Sequence, residues 1–175
     1  MVEPKPEWAS TGQPVTNRDL LKKFGEIVTH WSFGEAVIED LIAGLLDANI
    51  VHVYTVTSFI NISTRCKAIR ALAALRMDPQ VFGEFDSALE QFEGLVPFRN
   101  KLVHGLWSAT GLPDTVTVSL VKSGNRLKHQ TEFVNIAYLD WLDNQVTRAT
   151  TLLFGFGSQH DLLGDVETGD ENRPD

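Results

Sequence analysis

Apolar residues recur at helical spacing over most of this chain. After a proline-rich opening, Leu20, Leu21, Phe24, Ile27 and Val28 fall on one stripe, which continues through Trp31, Val37, Ile38, Leu41, Ile42 and Leu45. Spacings of three and four keep such residues on one face of a 3.6-residue turn, so the pattern predicts an amphipathic helix to about Asp47. Thr16 or Asn17 can cap it, because a short polar side chain there accepts from the free amides of the first turn. Gly25 and Gly34 weaken a helix interior, so the run reads as one bent helix or two.

The segment NIVHVYTVTS, residues 49–58, is rich in β-branched side chains but has no obvious strand partner, and it reads as a connection into the next helix. That helix is expected over residues 58–76, with Phe59, Ile62, Cys66, Ile69, Leu72 and Leu75 buried. Asp78 followed by Pro79 is a start signal, an N-cap and then a residue with no amide to satisfy. Val81, Phe82, Phe85, Leu89, Phe92, Leu95 and Val96 follow at helical period. Pro97 should kink or end that helix, and Gly105 suits a C-terminal cap, so residues 98–104 are expected as a short helical piece.

Residues 115–121 alternate strictly and predict a strand. Ser123, Gly124 and Asn125 supply a turn, and residues 127–133 return as the antiparallel partner. A last helix is expected over residues 135–154, with Ile136, Leu139, Leu142, Val146 and Leu153 on one face and Gly155-Phe156-Gly157 as its stop. The chain has no internal repeats. The expected fold is mainly α, a bundle of four to five helices with a β-hairpin inserted before the last. Residues 1–15 read as a flexible lead-in, 16–157 as the domain, and 158–175 as an acidic, disordered tail.

Composition narrows the function classes. The 175 residues are 43% apolar and 22% charged, which suits one globular domain. No apolar run is long enough to span a bilayer. The opening carries acids and prolines where a signal peptide needs a basic and then an apolar stretch. A single cysteine, Cys66, allows no internal disulfide and reads as core filler in a reducing compartment. These features point to the cytoplasm and away from a membrane. The net charge of −8 opposes a broadly basic surface. The last 18 residues hold six of the 23 acids and one of the 15 bases, so the chain before them is −3, 14 bases against 17 acids. A local basic cluster is therefore compatible with the total. Arg65, Lys67, Arg70 and Arg76 lie along one helix and, with Lys101, could follow an RNA backbone; the other reading is a solvated face balanced by acids.

Candidate chemistry concentrates in FRNKLVHGLW, residues 98–107. Asn100 and His104 are four apart and should stack on one stripe with Val96 and Trp107, while Arg99 projects from the neighbouring edge. Histidine exchanges a proton near neutral pH, and arginine clamps phosphate oxygens and stabilises added negative charge. Asparagine can orient either one. The same residues also suit an ordinary helix end, where a histidine gains from the dipole and bonds free carbonyls. Other candidates are weaker. Glu35 and Glu39, one turn apart, could chelate a metal or pair with Arg99, but no matching histidine-bearing helix accompanies them. His30, His52, His129 and His160 have no ligand spacing, and Ser63 and Thr64 have no histidine nearby. Gly155-Phe156-Gly157 precedes no helix and cradles no phosphate. No metal site and no cofactor is expected. Trp8 lies in the lead-in, and Trp31, Trp107 and Trp141 read as core or interface aromatics.

The RNKLVHG segment resembles the Arg-polar-(three to five)-His signature of the HEPN superfamily, small all-α domains of prokaryotic toxins, defence proteins and RNA-processing nucleases. The early tryptophan- and glutamate-bearing WSFGEAVIEDLI, the Phe/Leu-rich helix leading into the motif, and the hairpin and closing helix after it fit the same layout over residues 17–155. The resemblance implies a metal-independent endoribonuclease in which the RNA 2′-hydroxyl attacks the adjacent phosphate and leaves a 2′,3′-cyclic end. Arg99 would bind the phosphate, Asn100 would orient, and His104 would act as acid or base. It also implies a homodimer with the two motifs facing, Trp107 and Val96 among its contacts, and an antitoxin or regulatory protein as a possible further partner. Family members that lack catalysis serve as modules binding a protein, a nucleotide or RNA, and the sequence leaves that alternative open.

Overall fold

The computed structural model of the chain describes Gln13 and residues 15–122 and 128–163. Its elements run α1 (Arg18–Leu46), α2 (Ile50–Thr57), α3 (Ile62–Arg76), α4 (Pro79–His104), β1 (Leu106–Ala109), β2 (Thr115–Lys122), β3 (Lys128–Asn135) and α5 (Ile136–Gln159). The fold is mainly helical, with a small antiparallel sheet before the last helix. The chain divides into two compact units, Met1–Gly34 with Glu90–Thr150, and Glu35–Leu89 with Thr151–Asp175. Helices α1, α4 and α5 contribute residues to both.

In the first unit, Asn17 caps α1: its Oδ1 accepts from the amides of Asp19 and Leu20 at 3.0 and 3.1 Å. The helix is single and unbroken through Gly25 and Gly34. Gly34 is required there by close approach, since a Cβ would overlap the Phe92 ring and lie 2.7 Å from Thr150 Oγ1. One turn earlier the Trp31 ring stacks on Phe92 at 4.6 Å. Helix α4 also corrects the expected break, because Pro97 lies inside it. Proline removes one ladder bond, and the burial of Phe92, Leu95 and Val96 before it and Leu102 after it holds the helix across that gap.

The sheet has three strands in the order β1-β2-β3, not the two of the expected hairpin. Strand β1 is only four residues, too short to alternate legibly; it pairs with β2 through Trp107↔Val118 and Ala109↔Val116. The β2–β3 pairing matches the expected hairpin within two residues, with Val116↔Val134 in register; its turn, Ser123 to Asn125, lies outside the described residues. Val116, Val118 and Val134 are buried. Asn135 ends β3 and caps α5, its Oδ1 accepting from Tyr138 N at 2.8 Å. Helix α5 continues through Gly155-Phe156-Gly157, which therefore does not stop it.

The second unit centres on Ile38, Leu41, Cys66, Ile69, Phe85, Leu89 and Leu153, all fully buried, with Phe85 and Phe156 5.2 Å apart. The stretch expected as a connection is helix α2. Its N-cap Asn49 accepts from Val51 N at 2.9 Å. The threonines that argued against a helix back-bond within it, Thr55 Oγ1 to Val51 O and Thr57 Oγ1 to Val53 O. Helix α3 begins later than expected, at the Asn61 cap, whose Oδ1 accepts from Thr64 N at 3.0 Å. Phe59 consequently lies in the turn between α2 and α3 and is 92% exposed, and Leu75 is 82% exposed; Ala73 takes the buried position instead. Residues 158–163 belong to the fold, and the expected disorder of the acidic tail falls on residues 164–175, outside the described residues. The lead-in likewise lies outside them, except Val15 and Gln13, whose carbonyl accepts from Ala109 N at 2.9 Å. Among the described residues, no helix is long and apolar enough to cross a membrane.

Candidate functional site

Arg99, Asn100 and His104 occupy the last two turns of α4, in the first unit. Five residues separate Arg99 from His104, a rise of about 7.5 Å along the axis, with their side chains about 140° apart around it. Asn100 and His104 lie within about 40° of each other and share a stripe, as expected. Arg99 is half-buried. Its guanidinium carbon sits 5.8 Å from the centroid of the Trp31 ring, and its Nη1 donates to Asn100 Oδ1 at 3.2 Å. A cation over an indole face is held by the ring's electron density, so Trp31 and Asn100 fix the direction of the fork. His104 is the terminal residue of the helix and is exposed; among the described residues no hydrogen bond or ion pair engages its ring.

Two neighbours depart from the expected stripe. Val96 is core, 5% exposed. Trp107 lies beyond the helix in β1, its ring 5.0 Å from Phe24 and its Nε1 donating to Leu102 O at 2.7 Å. That bond and Gly105 N to Lys101 O at 2.9 Å satisfy two of the carbonyls a helix end leaves free. Gly105 is required by proximity, since a Cβ would run into Val118 Cγ1 and lie 2.5 Å from Lys101 O. The helix end that presents His104 is thereby pinned to the sheet.

The basic residues are divided between the two units. Lys101, in the first unit, pairs with Glu132 on β3. Arg65, Lys67 and Arg70 belong to the second unit. Arg65 Nη1 meets Glu39 Oε1 at 2.8 Å while its Nε donates to Ile60 O at 2.8 Å. Arg70 pairs with Asp86. Lys67 is exposed. Arg65 and Arg70 also point about 140° apart on α3. Glu39 is 4% exposed and takes Thr57 Oγ1 at 2.8 Å as well, so it is a structural acid. Beside it, burial and then Glu39 push the Asp40 carboxyl above its usual range.

A polar cluster that sequence spacing could not reveal lies between α1 and α5 in the first unit. His30 Nδ1 meets Asp143 Oδ1 at 2.6 Å, and Lys23 bridges Glu26, Asp140 and Asp143. Glu26, then Asp140, hold the Lys23 ammonium above the ordinary lysine range. At the start of α5, burial and then Glu132 raise the Tyr138 hydroxyl above its usual range. Among the described residues no three histidine, cysteine or acidic side chains converge on a point that would hold a metal. No family model, no curated protein and no solved structure matches this chain.

Proposed function

We propose that this chain is a HEPN-type endoribonuclease that cleaves RNA without a metal ion. The observation that supports this most is the braced Arg99, stacked over Trp31 and bonded to Asn100, about a turn and a half before an exposed His104. In the reaction, a ribose 2′-hydroxyl loses its proton and its oxygen bonds to the adjacent phosphorus. The P–O5′ bond breaks, a 2′,3′-cyclic phosphate forms, and the departing 5′-oxygen takes a proton. Arg99 grips the phosphate oxygens and offsets the charge that builds on them. Asn100 orients the guanidinium, and His104 exchanges a proton with one of the two ribose oxygens.

Two protons move at two oxygens while one motif offers one imidazole. A second copy of the chain related by a two-fold axis supplies the other. Toxin, defence or RNA-processing roles follow from the same resemblance, with cytoplasmic RNA as substrate and an antitoxin or regulatory protein as restraint. Purified protein should cleave RNA in EDTA and leave cyclic ends. His104→Ala should lower the rate by about 10²- to 10⁴-fold without unfolding the chain. Activity abolished by EDTA and restored by magnesium would overturn the mechanism. Binding of RNA with no cleavage by the unaltered chain would leave the binding-module alternative.

A further inference from the structure

We propose that a cavity at the end of α3, in the second unit, binds a free α-amino acid with an apolar side chain. The cavity encloses about 360 Å³, and its walls include Arg76, Asp78 and His160 together with Leu45, Val81 and Leu162. All of its lining residues belong to that unit, and its volume lies at the lower end of the range for small-molecule sites. Local structure builds these walls. Arg76 ends α3, and Met77 after it is extended, with φ −101° and ψ 151°. Side chains two apart across one extended residue fall on the same side, their Cα atoms about 6.6 Å apart, so Arg76 and Asp78 both border the cavity. The end of α5 supplies a further wall. Asp161 is left-handed, with φ 52°, and Leu162 N donates to Gly157 O at 2.9 Å, which closes the helix and sets Leu162 at the cavity. The His160 ring is packed against Phe156, their centroids 4.4 Å apart.

Charge selects the ligand. Among the described residues, neither the Arg76 guanidinium nor the Asp78 carboxylate makes a hydrogen bond or an ion pair. Asp78 therefore does not cap α4 with its side chain, and both groups stay available to a ligand. Arg76 repels a metal cation, and Asp78 repels a multiply charged phosphate. A zwitterion satisfies both. Its carboxylate takes the arginine fork, with the His160 ring as a further donor, and its ammonium meets Asp78. Leu45, Val81 and Leu162 give the ligand's side chain an apolar wall. The site is separate from Arg99, Asn100 and His104, which belong to the first unit. It stands whether or not the chain cleaves RNA, because its test reads amino-acid binding alone.

Amide NMR spectra of the isotope-labelled full chain, titrated with L-leucine, L-methionine and L-phenylalanine, give the test. At least one should bind with a Kd of about 1 mM or tighter and shift the signals of Met77, Asp78, Val81 and Leu162. For the tightest of the three, the matching amide lacks the carboxylate and the matching carboxylic acid lacks the ammonium. Each should bind at least about 10-fold more weakly. Arg76→Gln and Asp78→Asn should weaken the amino acid by a similar factor and leave the circular dichroism unchanged, because both side chains are exposed. Lys67→Gln, on the same helix, should leave binding intact. No binding of any of the three up to about 10 mM, equal binding of the acid without its ammonium, or full affinity in Arg76→Gln or Asp78→Asn would each overturn the proposal.

Discussion

Arg65→Ala tests whether a cation that looks free in the sequence is structural. Arg65 Nη1 and Thr57 Oγ1 share Glu39 Oε1, each at 2.8 Å, and the Arg65 and Glu39 side chains are 12% and 5% exposed. Removing the guanidinium leaves a buried carboxylate with only the hydroxyls of Thr57 and Tyr54 and takes the Nε donor from Ile60 O. Breaking a buried pair in this way costs about 3–5 kcal/mol. For a chain of this size that lowers Tm by about 6–20 °C. Lys67→Ala, on an exposed position of the same helix, should stay within about 0.5 kcal/mol. Glu39→Leu combined with Arg65→Met should recover most of the loss, because neither charge is then buried alone. Urea titration followed by circular dichroism gives all four stabilities, and RNA affinity measured well below each Tm separates folding from binding. Arg65→Ala with unchanged stability but weakened, less salt-dependent RNA binding would refute the reasoning and make Arg65 a phosphate contact.

Gly34→Ala should destabilise by about 1–3 kcal/mol, since its Cβ meets Phe92 and Thr150, whereas Gly25→Ala, in the same helix with open space, should stabilise by about 0.5–1 kcal/mol; urea midpoints of the same sign would refute the packing argument. Asp40→Asn should raise Tm at pH 7. Burial and Glu39 raise the Asp40 carboxyl in the folded state, so its favourable contribution is full below the unfolded value of about 3.9 and lost as pH rises through the folded one. The Tm advantage should vanish in acid, and an advantage constant with pH would sink the assignment. Mixing Arg99→Ala with His104→Ala chains should restore part of the RNA cleavage if two copies share one site, and no restoration after confirmed exchange would refute the sharing.

Much of the fold was legible because burial imposes a period. The α1 stripe and the alternation of β2 each reflect one buried face, and the bounds of α1 and β2 and the start of α4 lie within a residue or two of expectation. The misses have physical causes. NIVHVYTVTS is β-branched, yet Thr55 and Thr57 back-bond to the preceding turn and Thr57 also reaches Glu39, a partner outside the segment. Pro97 reads as a break because one ladder bond is lost, but the buried residues on both sides of it hold the helix. Strand β1 owes its existence to pairing with β2 and carries no pattern of its own.

The site divides along the same line. That Asn100 and His104 share a stripe follows from the helix alone and needed no tertiary information. Trp31, which with Asn100 orients Arg99, could be read from sequence only as a core or interface aromatic. The basic residues of α3 were legible as a cluster, but not the carboxylates that Arg65 and Arg70 meet. A cation's availability depends on which carboxylate the fold brings opposite it, and Glu39, Asp86 and Glu132 come from α1, α4 and β3. His104 differs because it ends its helix, where the backbone turns away into β1 and leaves the ring in solvent. A helix-terminal turn keeps a histidine accessible without a pocket. An arginine five residues earlier gains a buried aromatic floor, so one helix end holds a fixed cation and an exposed imidazole.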